Sequence, residues 1–187
     1  MAEPDVARQF EAKIQGDATD LKAMLDYVAC QELAEMLRMI LHTSEEGGVI
    51  WTIGNGGSAA NAAHIAEDLG LVGVEAISLA SDAARLTALA NDFGYENVFS
   101  NQLEVLGKPG DMLLAFSVSG NSANIVQALK SAPDGVKKAA MLGMDGGVAR
   151  RYVSHAVVVP SSDFGLVESA HALLCHILTG AVAKQRK

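Results

Sequence analysis

The sequence predicts an α/β protein, a mainly parallel five-stranded sheet covered on both faces by helices. Three observations carry this. Short apolar runs at 49–53, 112–116 and 139–142 alternate with helical patterns, and strands separated by helices need crossover connections, which make the sheet parallel. The runs are continuously apolar, as suits strands buried on both faces. Two of them stop abruptly at small polar residues, Gly54-Asn55-Gly56-Gly57-Ser58 and Ser117-Val118-Ser119-Gly120-Asn121-Ser122, each leading straight into a helix. With 187 residues, half of them hydrophobic and 19% charged, the chain is long enough for one domain with a full core, and its composition argues against disorder.

In order along the chain, residues 5–15 read as a short helix broken near Gly16. Residues 20–45 read as a long one, with Leu21, Leu25, Val28, Leu33, Leu37 and Ile40 recurring at threes and fours until Gly47-Gly48 ends it. Strands are expected at 49–53, 76–79, 112–116, 139–142 and 156–159. Helices are expected from Ser58 to about 69, then at 82–90, 97–106, 121–130 and 165–184. Asn91-Asp92-Phe93-Gly94 and Pro109-Gly110 act as breaks. This makes one domain over 1–187, with N-terminal helices at 1–47 and an α/β core at 48–187. The leading helices fit two uses equally, a surface for a partner or padding for the core.

Glycines let the backbone approach a ligand closely. A helix N-terminus adds unpaired N–H groups and the positive end of its dipole, which favour an anion. The first turn lacks the Lys-Ser/Thr ending of a P-loop, and its glycines do not match the dinucleotide fingerprint. The second turn repeats its chemistry with three hydroxyls, neutral donors suited to phosphate without Lys or Arg. Ser122 or Asn121 as a plain helix cap accounts for one residue but not for the cluster. In a parallel sheet such turns lie beyond the carboxyl ends of the strands, where ligands bind.

These two turns, together with His64, Asn91 through Gly94, and Glu168 through His176, resemble the SIS (sugar isomerase) domain family, and within it the phosphoheptose isomerases. The resemblance covers most of the chain. It implies a single SIS domain with a doubly wound, flavodoxin-like sheet. It also implies N-terminal helices used in oligomerisation and a homotetramer with active sites at subunit interfaces. The implied reaction converts sedoheptulose 7-phosphate to D-glycero-D-manno-heptose 7-phosphate, usually with a bound zinc ion.

His64 and Asp68 are four apart and share a helix face, so an imidazole and a carboxylate there can bind one divalent cation. On the last helix, Glu168 lies roughly 60° from His171 and 80° from His176, and about 12 Å of helix rise separates it from His176. Local geometry slightly favours Glu168 with His171. The resemblance favours Glu168 with His176, giving a metal set of His64, Asp68, Glu168 and His176 and leaving His171 to packing or support. An aldose–ketose isomerisation needs a base beside the carbonyl and an acid for the oxygens. By the resemblance Asp68 is the base and His176 the acid, with Glu168 an alternative base. Ser58, Ser117, Ser119 and Ser122, with Gly56, Gly57 and Val118, hold the phosphate, and Asn55 and Asp92 contact sugar hydroxyls.

The sequence departs from the family at four of these places. Asp68 stands for Glu, Glu168 for Gln, Val118 for Thr and Leu71 for Arg. Either the substrate is altered within the same chemistry, or catalysis is lost while a phosphosugar site is kept. The alternative to an enzyme is thus a non-catalytic phosphosugar-binding protein, such as the SIS proteins that associate with the bacterial replication initiator. His64 and His176 weigh against it, since a scaffold does not need them.

The formal charge of −8 argues against direct nucleic-acid binding. No uninterrupted apolar run reaches bilayer length and the N-terminus lacks a signal-like core, so no membrane partner and a cytoplasmic location are expected. Cys30 and Cys175 read as reduced, buried thiols.

Overall fold

The computed structural model describes residues 6–28 and 30–186. Helices α1 (Val6–Asp26) and α2 (Cys30–Glu45) lead into strand β1 (Ile50–Ile53), helix α3 (Gly57–Leu71) and strand β2 (Ala76–Ser78). Helix α4 (Ala83–Phe93), a short 3₁₀ turn (Tyr95–Asn97) and helix α5 (Ser100–Leu106) precede strand β3 (Met112–Ser117). Then come α6 (Ala123–Ser131), β4 (Lys137–Gly143), a second 3₁₀ turn (Ala149–Tyr152), β5 (His155–Val159) and α7 (Phe164–Gln185).

All ladder pairs are parallel and the strand order is β2-β1-β3-β4-β5. That is the flavodoxin-like order, and it reverses between β1 and β3. The centre of the sheet is buried, every residue of β1 and β3 included, so their unbroken apolar runs have apolar neighbours on both sides. One face packs under α2, α3 and α7 through residues such as Met36, Ile65 and Leu174. The other packs under α5 and α6 through Phe99, Leu103 and Leu129.

The two leading helices differ in burial. Helix α2 buries Met36, Ile40 and Thr43 and covers the sheet. Helix α1 has no buried residue and exposes Val6, Phe10 and Ile14. It also runs straight through Gly16, where a break is expected, and the break falls near Tyr27–Val28 instead. A mid-helix glycine costs only about 1 kcal/mol relative to alanine, and Leu21, Met24 and Leu25 packing on the core outweigh it. The part of the first predicted helix at Asp5 lies outside the described residues.

Two further expectations change. Helix α4 continues through Asn91 and Asp92 and stops only at Gly94, and Cys30 is exposed at the start of α2 while Cys175 is buried. Burial pushes the Cys175 thiol up to about 12, with a smaller push from the Asp68 carboxylate. Helix α7 is, by length and composition alone, apolar enough to cross a membrane. Its apolar stripe instead meets the core through Val167, Ala170, Leu174, Leu178 and Val182.

At the opposite end of the sheet from the turns, Asp111 (3% exposed) closes the start of β3. Its carboxylate accepts from Val49 N at 2.8 Å, from the Trp51 indole at 2.8 Å and from Lys108 N at 2.9 Å.

Candidate active site

Because β1 and β3 are neighbours, in register at Ile53 and Ala115, the turns that follow them face one another at the point where the strand order reverses. Between them lies a cavity of about 240 Å³, walled by Asn55, Gly57, Ser58, Ser117, Ser119 and Ser122, with Gly56 and Val118 completing the turns. Phe116, Phe164 and Glu168 close it from the side. Such a volume suits a phosphate with its adjoining carbons and is below the roughly 300 Å³ of a drug-sized pocket.

Each turn presents donors inward. The intrahelical bonds of α3 begin with Ala59 N, so the N–H groups of Gly57 and Ser58 in its first turn are left for a ligand. Ser117 Oγ accepts from Gly120 N and Ser119 Oγ from Asn121 N, both at 3.1 Å. Each hydroxyl hydrogen is thereby left to donate elsewhere. Ser122 occupies the N-cap position of α6 without a side-chain capping bond, so the plain-cap reading does not describe it. Asn121 does not cap either. Its side chain bonds Ser119 O and Val148 N, which ties the serine turn to the loop after β4. Gly120 (φ +62°) lies so close to Gly146 O that a Cβ would overlap that carbonyl. No lysine or arginine is among the cavity walls.

Helices α3 and α7 run side by side, held by Asn61 Nδ2 donating to Glu168 O at 2.9 Å. This contact sets the place of Glu168, whose carboxylate lies against Gly57 where a Cβ would overlap it. Further along the same two helices, His64, Asp68 and His176 converge. His64 Nε2 is 3.4 Å from Asp68 Oδ2 and 3.4 Å from His176 Nε2, and His176 Nδ1 is 3.5 Å from Asp68 Oδ2. Among the described residues these three form the group of potential ligands. Taken one donor atom per residue, the three lie within 4.8 Å of one another, and two imidazoles and a carboxylate are a zinc donor set with an open position. Glu168 is not in the group. The structure puts it in the cavity wall, as the two turns of helix between it and His176 dictate.

The remaining expected residues fall elsewhere. Asp92 is exposed on the last turn of α4, accepting from Asn91, and is not a cavity wall. Leu71 is 79% exposed at the end of α3. Phe116, Phe164, Tyr95 and Asn124 are absent from the sequence reading. The first ends a predicted strand, and Asn124, three residues after Asn121 in the Ser-Gly-Asn-Ser-Ala-Asn run, carries the same helix-start chemistry as its neighbours.

His171 is fully buried, edge-on to Phe116, with Nε2 bonded to Leu142 O at 3.2 Å and Nδ1 without a hydrogen-bond partner. Burial pushes its imidazole down to about 4 from 6.5, opposed by the Leu142 bond. The folded protein therefore holds it neutral while the unfolded chain protonates it below about 6.5. Its contribution is complete above that pH and is lost as pH falls toward 4, roughly 3 kcal/mol in all. Urea unfolding between pH 7.5 and 4.5 should show this slope, and His171→Gln should flatten it. An unchanged slope in the variant would assign the pH dependence to other groups.

A family model described as the SIS domain matches residues 17–143. The chain is 41% identical over 165 residues to a phosphoheptose isomerase from Helicobacter pylori (strain P12), spanning 82% of this chain and 86% of that one. It is 34% identical to a phosphoheptose isomerase from Clostridium acetobutylicum over 96% of this chain and 94% of that one. The structure of the phosphoheptose isomerase GmhA from Neisseria gonorrhoeae superposes with a TM-score of 0.89 at 29% identity, covering 96% of this chain and 99% of that one.

Proposed function

The chain belongs to the SIS domain family, grouped with its phosphoheptose isomerases, and from that membership we propose that it isomerises sedoheptulose 7-phosphate to D-glycero-D-manno-heptose 7-phosphate. The observation that carries the proposal is the coupling of a cavity lined by serine hydroxyls and helix-start N–H groups to the His64–Asp68–His176 group through the shared helices α3 and α7. Ser58 and His64 are separated by about 9 Å of helix rise, a span that an extended open-chain sugar phosphate bridges and a triose phosphate does not.

In this reading Ser58, Ser117, Ser119 and Ser122 bind the phosphate with the backbone N–H groups of Gly57 and Ser58. Asp68 takes the proton from the carbon beside the carbonyl, and His176 moves protons at the two substrate oxygens, so that the enediol forms and collapses on the neighbouring carbon. His64, Asp68 and His176 would hold a divalent cation such as Zn²⁺, which supplies Lewis-acid polarisation of the carbonyl and hydroxyl oxygens. Glu168 and Asn55 accept from and donate to the hydroxyls next to the phosphate, and Asp92 meets hydroxyls beyond the cavity mouth. Val118 (3% exposed) offers a methyl surface and no donor. The half-exposed histidines and the bare apolar face of α1 support a homotetramer whose subunits close over the site, in the cytoplasm where phosphorylated sugars are made.

Incubation of the pure protein and Zn²⁺ with sedoheptulose 7-phosphate, followed by NMR, should show the aldose. If no divalent cation yields product while the ligand still binds, the protein is a phosphosugar-binding member of the family and not an isomerase.

A further inference from the structure

We propose that Asn124 is a positioning residue that locks the two anion-binding turns at one spacing, so that affinity in the cavity depends on a side chain outside its walls. The proposal rests on the phosphosugar reading above. Asn124 is the second residue of α6 and 2% exposed. Its Nδ2 donates to Asn55 Oδ1 at 2.8 Å, and its Oδ1 accepts from Asn55 Nδ2 at 2.9 Å. Two carboxamides thus bond reciprocally, edge to edge. Among the described residues they are the direct hydrogen-bonded link between the turn after β1 and the turn after β3.

The orientation of the pair follows from one backbone group. Ile125 N donates to Asn124 Oδ1 at 2.9 Å, and only an oxygen can accept there. That decides which end of the Asn124 amide is which, and Asn124 in turn decides Asn55. Asn55 Oδ1 also accepts from the Tyr95 hydroxyl at 2.8 Å, which fits the same orientation. Both lone pairs of that oxygen and one N–H are then occupied by protein. A single N–H of Asn55, itself a cavity wall, is left to meet a ligand.

The parallel ladder cannot do this work. Its last pair, Ile53 with Ala115, lies before both turns, and the backbone bonds of the first turn run into its own helix and not across to the second. A side chain that ties the two turns beyond the end of the ladder sets how far apart the donors of Ser58 and Ser119 stand. Phosphate has one size, so a change in that spacing falls on binding.

The test is calorimetric titration of the full chain with inorganic phosphate, and steady-state kinetics with sedoheptulose 7-phosphate. Asn124→Ala should weaken phosphate binding about tenfold, roughly 1.4 kcal/mol, and raise KM by a similar factor while kcat changes less than threefold. Asn55→Ala should lose at least as much as Asn124→Ala, since it also removes the N–H that meets the ligand, and the double variant should lose no more than Asn55→Ala alone, because the pair acts as one unit. If Asn124→Ala does not fold, Asn124→Ser, which a helix start accepts, carries the same expectations. Additive losses in the cycle, or an affinity within twofold of the parent, would overturn the positioning role and leave the phosphate site standing. Absence of phosphate binding by the parent protein would overturn the site reading, and this proposal with it.

Discussion

Asp68→Asn is expected to lower kcat by about 10²–10⁴-fold, the range for loss of a positioned acid or base. The variant keeps the shape of the side chain but removes the charge that both histidines face at 3.4 and 3.5 Å. On the proposed metal set it should also lower the zinc taken up by the purified protein, since a neutral amide replaces a carboxylate. Elemental analysis beside kinetics separates the two losses. A low rate at full zinc occupancy assigns the proton to Asp68, whereas a rate recovered by excess zinc assigns it a ligand role only. Glu168→Gln is the control. Its carboxylate lies in the cavity wall at Gly57, so the change should appear mainly in KM. If Glu168→Gln abolishes kcat and Asp68→Asn retains it within threefold, the base is Glu168.

Asp111→Ala is expected to cost about 3–6 kcal/mol, less than three fully buried donors would because two of the bonds are only part-buried. Three donors converge on this carboxylate, two of them backbone groups and one the indole of Trp51. A buried donor left without a partner costs about 1–3 kcal/mol. Against a total stability of about 5–15 kcal/mol the loss is a large fraction. Trp51 is the sole tryptophan, so its fluorescence reports the unfolding curve directly. Asp111→Asn keeps one acceptor and should lose less. A urea midpoint unchanged in Asp111→Ala would show that water replaces the carboxylate at little cost.

Fold and site were legible in the chain to different depths. The strands could be read because burial on both faces leaves continuous apolar runs, and the two cavity-lining turns because small polar residues end those runs abruptly. The boundary errors lie where local signals are weak. Gly16 interrupts nothing because packing of Leu21 and Leu25 decides α1, and Asn91-Asp92 looks like a break yet continues α4 until Gly94. Cys30 shares a helical pattern with buried residues but stands at the helix start, where half the surface is free. The Asn55–Asn124 pair could not be read at all, since either asparagine alone is an ordinary turn residue.

By itself the sequence determined that this is a parallel α/β protein with two glycine- and serine-rich turns at strand ends, and it supplied every residue of the His64–Asp68–His176 group. Each of these depends on neighbours within about one turn of helix or one strand, so local pattern is enough. Only the tertiary structure decided that β1 lies beside β3, so that the turns face each other, and that α3 lies beside α7, so that His64 meets His176 across 112 residues of chain. It also put Glu168 in the cavity wall, apart from the His64–Asp68–His176 cluster. Such adjacencies follow from the summed packing of a whole core, in which no single residue carries a readable share.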